Sequence, residues 1–182
     1  MIILASKSPR RKDLLKTLVD DFIIIPSNID ESQYDISEVS LKKAEVISDS
    51  YRNDYILSAD TYVMYNDIVF GKPKDKLDAF KILSTLQDKT HTVVTYFTIL
   101  NKSKDVNITK KVVTEVTFKK MNEEKINEYI ASNSPMDKAG AYGIQDNDKY
   151  DFIKSIKGSL TNVIGLPLEE LKKTLIDLKI IK

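Results

Sequence analysis

The chain reads as an α/β protein with a mixed sheet and flanking helices, and three observations carry that reading. Short apolar runs of strand length alternate with amphipathic segments at helical spacing along the 182 residues. The middle changes character: His91–Leu100 and Asn107–Lys119 are long and rich in Val, Thr and aromatic residues, an antiparallel pair around the polar turn Asn101–Asp105. Apolar residues make up 42% of the chain, enough at this length to bury a core. One domain over residues 1–182 is expected.

Ile2–Ala5 is a buried-strand candidate. Ser8 caps a helix with Pro9 at its first position, and Leu14, Leu15 and Leu18 form its apolar face. Phe22–Pro26 reads as a second strand, followed by a polar, turn-like Ser27–Tyr34. Ser37 is placed to cap a helix with Leu41, Ala44 and Ile47 or Ser48 inward. Tyr55–Ser58 is a strand ending at Ala59-Asp60-Thr61. Tyr62–Tyr65 and Ile68–Phe70 form a hairpin around Asn66-Asp67, and Gly71-Lys72-Pro73 breaks the chain. Leu77–Leu86 has helical spacing with Leu77, Phe80 and Leu83 on one face. In the long middle pair, Ile108, Lys110, Val112, Thr114, Val116 and Phe118 share a face. A helix over Asn122–Ala131 turns Ile126, Tyr129 and Ile130 inward. Asn133–Lys149 is loop-rich, Phe152–Ile156 is a strand, and Leu168–Leu178 is a closing helix.

Composition excludes several chemistries. With no cysteine and only one histidine, there is no disulfide, no thiolate–zinc site, no thiol nucleophile and no multi-histidine metal site. A metal here is held by carboxylates and phosphates, as Mg²⁺ usually is. Twenty-eight basic residues against 27 acidic ones leave a net charge of +1, which provides no global grip on nucleic acid or membrane. No apolar stretch approaches the ~20 residues of a bilayer span. A soluble, cytoplasmic protein is expected.

Six segments carry candidate chemistry. Ser6-Lys7-Ser8-Pro9-Arg10-Arg11 places hydroxyls and two guanidiniums at a helix start, where free N–H groups favour an anion; the bland alternative is a solvated basic helix start. Ser58-Ala59-Asp60-Thr61 delivers an acid at a strand end, either to hold a metal or accept a proton, or simply to cap a turn. Lys72, in the Gly71–Pro73 break, and Lys43, on a helix, are single cations. Asp30-Glu31 sets two acids in a polar loop. Asp137–Gln145 packs two glycines, a tyrosine, an acid, a base and an amide into nine residues, and Gln145 has the donor and acceptor that suit a nucleobase edge. His91 is read as structural.

Taken in order, Leu4-Ala-Ser-Lys-Ser-Pro-Arg-Arg11, Lys43-Ala44, Ser58-Ala-Asp-Thr61, Gly71-Lys-Pro73, His91-Thr-Val-Val-Thr95, Pro135-Met-Asp-Lys-Ala-Gly-Ala-Tyr-Gly-Ile-Gln145 and Asn162-Val-Ile-Gly-Leu-Pro167 resemble the Maf family of nucleoside triphosphate pyrophosphatases across nearly the whole chain. The resemblance implies a mixed α/β fold with a cleft between two lobes, similar to inosine triphosphate pyrophosphatases. It implies cleavage between the α- and β-phosphates. It makes Asp60 the proton acceptor, puts Ser6, Arg10, Arg11, Lys43 and Lys72 around the triphosphate, and Glu31 with Asp60 on a divalent metal, Mg or Mn. Arg10, Thr61 and Gln145 become the positions linked to base selection. The Asp137–Gln145 form is similar to the dTTP/UTP subgroup. The expected partner is the nucleotide, with homodimerisation frequent among relatives. Two departures stand out: Asp146-Asn147-Asp148 follows Gln145 where the family usually has a glycine, and Asn133-Ser134 precedes Pro135 where Gly-Glu is frequent. The added acids are expected to weaken nucleotide affinity. The competing reading is a nucleotide-binding regulator of septum formation with little turnover. A nucleic-acid-binding module is a third, disfavoured by the charge balance.

Overall fold

The computed structural model describes all residues, Met1 to Lys182, with seven strands and seven α-helices. The strands are β1 (Ile2–Leu4), β2 (Phe22–Ile24), β3 (Tyr55–Tyr65), β4 (Ile68–Phe70), β5 (Thr90–Asn101), β6 (Val106–Phe118) and β7 (Ile153–Lys157). The helices are α1 (Pro9–Lys16), α2 (Val39–Ser48), α3 (Lys76–Leu86), α4 (Glu123–Ala131), α5 (Asn147–Tyr150), α6 (Leu160–Ile164) and α7 (Leu168–Asp177). One sheet runs β2-β1-β3-β5-β6-β7, with β4 paired to β3. β1 is parallel to β2 and β3, whereas β3–β4 and β6–β7 are antiparallel, so the sheet is mixed as expected. Side-chain pairs Thr90–Thr117 and Thr98–Thr109 count in opposite senses, which makes β5 and β6 antiparallel too.

The chain forms two compact units, one of Met1–Asp60, Thr95–Val112 and Gly165–Lys182, the other of Thr61–Val94 and Val113–Ile164. In the first, β1 is apolar on both faces. Ile2 and Leu4 pack with Leu15 of α1 and Leu171 and Leu175 of α7, while Ile3 and Ala5 pack with Ala44 and Ile47 of α2. That is why its sequence is a continuous apolar run rather than an alternation. In the second, Val63, Val93, Val116 and Phe118 from strands meet Ile82, Leu83 and Leu86 of α3 and Ile126, Tyr129 and Ile130 of α4. Phe118 is fully buried, with ring contacts to His91 at 4.8 Å, Tyr142 at 4.7 Å and Phe152 at 5.3 Å.

Several expectations need correction. The strand from Tyr55 does not end at Asp60 but runs on to Tyr65, since Val63–Tyr65 pair with Ile68–Phe70. What does end is its parallel partner: Leu4 lies opposite Leu57, so Asp60 falls beyond the carboxyl end of β1. The hairpin turns at Asn66 and Asp67 as expected, both at positive φ. Ser37 does not cap α2, whose N-cap position is Glu38 without a side-chain bond, and Leu41 is only half-buried because the inner face is Val39, Ser40, Lys43, Ala44, Ile47 and Ser48. On α3 the buried set is Ala79, Ile82, Leu83 and Leu86, leaving Leu77 exposed. The loop-rich 133–149 segment is a series of 3₁₀ turns, Ser134–Asp137, Ala139–Ala141 and Ile144–Asp146, leading into α5. α6 went unforeseen; its five residues are too few to show a period.

Candidate functional site

Alternation along β3 puts Ser58 and Asp60 on the same side as Ile56, the side that α2 covers. On α2, Ser40 and Lys43 are three apart and share a face. The two pairs stack as rungs. The Ser58 hydroxyl donates to the Ser40 carbonyl, and the Lys43 ammonium donates to Asp60 Oδ1 at 3.2 Å. Ser40 also pairs with Thr98 of β5 at 2.9 Å. These buried hydroxyls set the helix register that lays a lysine on an aspartate. Sequence reading passed over Ser40 and gave Ser58 no bond to α2; the signal was their spacing to Lys43 and Asp60.

Lys43 and Asp60 are 8% and 9% exposed, so this is a buried ion pair. The same ammonium reaches Glu31 Oε1 at 2.6 Å, so carboxylates from two separate segments converge on one cation. Buried charges persist only where paired. The adjacent acids of the loop have different duties. Asp30 caps the 3₁₀ turn Glu31–Gln33, and hydrogen bonds from Ser32 and Gln33 hold its carboxyl below the usual range. Glu31 is left to face Lys43. No group of three or more metal-ligating side chains is assembled. Two carboxylate oxygens gathered on one ammonium are nonetheless a donor set for a hard divalent cation whose other ligands come from phosphate and water.

The start of α1 is built as its sequence suggests. Ser8 Oγ accepts from Arg11 N, Pro9 takes the first turn, and Ser6 Oγ accepts from Ser8 N at 3.2 Å. Arg11 Nε donates to the Gly165 carbonyl at 2.8 Å and its Nη1 lies 3.5 Å from Ser6 Oγ, tying Gly165 to the helix start. Arg10 is half-buried beside it. Ser6, Arg10, Arg11, Glu31, Lys43 and Asp60 all lie in the first unit.

Thr61, Lys72 and Gln145 lie in the second unit. The break at Gly71 and the turn at Gly140 are joined by Gly140 N donating to Gly71 O at 3.0 Å. Gly140 has φ +69, and a Cβ there would sit 2.6 Å from Val63 Cγ2 on β3, so only glycine fits. Lys72 thus stands one residue from a carbonyl that anchors the Gln145-bearing segment. Both Lys72 and Gln145 are exposed. His91 is structural, as expected: it is buried, pairs through Nε2 with the Tyr142 hydroxyl at 2.8 Å, and burial pushes its imidazole down to about 4. Asp146 and Asn147 turn onto the protein. Asp146 accepts from Tyr129 and Ser134, and Asn147 Oδ1 accepts from Phe152 N and Ile153 N.

The fold and the site define a class: a mixed-sheet α/β protein with hydroxyls and guanidiniums at a helix start and a carboxylate pair gathered on a buried lysine. The chain belongs to the Maf family, whose profile, described as Maf-like protein, matches residues 1–178. Among its relatives, a dTTP/UTP pyrophosphatase of Clostridium botulinum (strain Eklund 17B / Type B) is 43% identical over 184 residues, covering 96% of this chain and 97% of that protein. A dTTP/UTP pyrophosphatase of Thermosipho africanus is 46% identical over 172 residues, covering 93% and 88%. The structure of the Staphylococcus aureus Ham1 protein matches with a TM-score of 0.60 over 97% of this chain and 98% of that one, at 11% identity, a likeness of fold. No helix is long and apolar enough to cross a membrane.

Proposed function

We propose that this chain is a nucleoside triphosphate pyrophosphatase that converts dTTP and UTP to the monophosphate and pyrophosphate. The observation that carries the reading is the buried Lys43 ammonium shared by Asp60 and Glu31, in a chain whose relatives bear that enzyme's name. Water attack on phosphorus adds no positive charge to a highly anionic substrate. Catalysis therefore comes from positioning and from fixed cations. Ser6, Arg10, Arg11 and the first amides of α1 bind phosphate oxygens, and Lys43 and Lys72 neutralise the chain. As the water oxygen bonds to phosphorus and the P–O bond between the α- and β-phosphates breaks, Asp60 takes the water's proton and pyrophosphate leaves. Glu31 and Asp60 would hold a divalent metal, Mg or Mn; when bound, it supplies charge neutralisation and a more acidic water. Arg10, Thr61 and Gln145 select the base. A sensor of septum formation without turnover would have no use for the proton acceptor. Relatives named as enzymes weigh against it.

The test is pyrophosphate release from dTTP, UTP, CTP, 7-methyl-GTP, GTP and ATP, each with Mg²⁺, Mn²⁺ or chelator. Metal-dependent release from dTTP and UTP is expected. Silence across the panel from folded protein refutes the reading.

A further inference from the structure

We propose that Asp146 is a positioning residue whose carboxylate locks the segment that carries Gln145 and so sets how sharply the enzyme distinguishes bases. The inference rests on the base-reading role given to Gln145 above.

Two hydroxyls meet at this carboxylate, and each is bonded onward. Oδ2 accepts from the Tyr129 hydroxyl at 2.6 Å and from the Ser134 hydroxyl at 2.7 Å. Tyr129 Oη accepts in turn from Gly143 N at 2.9 Å, and Asp146 N closes the turn on Gly143 O at 3.0 Å. Lys138 Nζ reaches the Ser134 carbonyl at 2.5 Å and Ser134 Oγ at 3.1 Å. One carboxylate oxygen therefore joins α4, the Ser134–Asp137 turn and the Ile144–Asp146 turn. Space is equally tight: a Cβ on Gly143 would lie 2.5 Å from Lys138 Cε and 3.1 Å from Asp146 Oδ2. Tyr129 is held by its own ring contacts with Tyr150 and Phe152, so the anchor is rigid. Gln145 is the exposed residue directly before Asp146, and Gly143 two positions earlier is fixed as well, which leaves its backbone little freedom. An amide that discriminates bases by hydrogen bonding needs that fixity, because a loose amide satisfies the wrong base edge as readily as the right one. Asp146 spends its charge on this lock. Its carboxylate is thus tied to Tyr129 and Ser134, whereas Asp148, the other acid that follows Gln145, is exposed.

The test measures kcat and KM for UTP and CTP in wild type, Asp146→Ala, Asp146→Asn, Tyr129→Phe and Gln145→Ala, with amide hydrogen exchange at Gly143 read by NMR. Asp146→Ala is expected to lower the UTP-to-CTP ratio of kcat/KM about tenfold, chiefly through KM, and to speed Gly143 exchange about tenfold or more. Asp146→Asn keeps an acceptor oxygen and is expected to restore both. Tyr129→Phe is expected to reproduce the loss and to add little to Asp146→Ala in the double variant. If Gln145→Ala shifts the ratio while Asp146→Ala does not, the lock is refuted and the base-reading role survives. If Gln145→Ala leaves the ratio alone, the role fails and this inference with it. Should Asp146→Ala melt too low for kinetics, Tyr129→Phe decides: a UTP-to-CTP ratio and a Gly143 exchange rate both as in wild type in that variant would overturn the lock.

Discussion

The polar groups buried in the two units differ in kind. In the first they include charges: Lys43 and Asp60, neutralised against each other and Glu31. In the second the largest are rings with a polar edge: His91, Tyr129 and Tyr142, paired through neutral or singly charged hydrogen bonds inside an aromatic cluster. Burial accordingly raises both tyrosines, Tyr129 further through its bond to Asp146, and lowers His91. Charge held by exchangeable partners suits chemistry on an anion, because a substrate or metal can exchange partners with it. Neutral rings suit a rigid frame. The contrast teaches that the candidate proton acceptor and its charged partners sit in one unit and the Gln145-bearing loop in the other, each on the packing that its task needs.

The contrast breaks most visibly at Asp60. Asp60→Asn is expected to cut turnover by about 10³-fold or more while nucleotide binding, followed by calorimetry, largely remains. A variant that keeps near wild-type turnover removes Asp60 from the chemistry. On the other side, Phe118→Ala is expected to cost about 3–5 kcal/mol of stability, since the ring touches His91, Tyr142 and Phe152 and leaves a cavity when cut away. Chemical denaturation checks this.

A pH titration sharpens the same point. His91 holds its proton less tightly folded than unfolded, so the unfolded chain binds the extra proton. Its contribution is complete above pH ~6.5 and is lost as pH falls toward about 4, up to roughly 3 kcal/mol in all. Nδ1 is buried without a hydrogen-bond partner, so the charged ring gains no acceptor on that side to offset its desolvation. His91→Gln is expected to flatten that acid limb in melts recorded from pH 7 to pH 4. An unchanged limb would assign the acid sensitivity elsewhere.

Much of the frame was legible in the chain because local signals and tertiary packing agree there. Ser8-Pro9 at the start of α1, the Asn66-Asp67 turn and the apolar run of β1 each state their own conformation. The failures have a common cause. β3 continues unbroken through Asp60 into its hairpin with β4, and Leu77 is exposed because the packed face of α3 is Ala79, Ile82, Leu83 and Leu86; in neither case does the segment's own spacing decide. The motif residues of the site could be picked out singly, through resemblance, but not their arrangement. Nothing near Lys43 in sequence says that its ammonium lies on Glu31 and Asp60, or that Asp146 is spent on Tyr129 and Ser134. Those contacts depend on helix register and on side chains far apart along the chain.

The most direct test of this division of labour has the smallest expected effect. It is the ratio of kcat/KM for UTP over CTP in wild type and Gln145→Ala, measured alongside kcat on UTP. The account predicts a ratio lowered by about tenfold, a larger change than the fall in kcat. A collapse of kcat with the ratio unchanged would contradict it, by placing Gln145 in the chemistry and not in the choice of base.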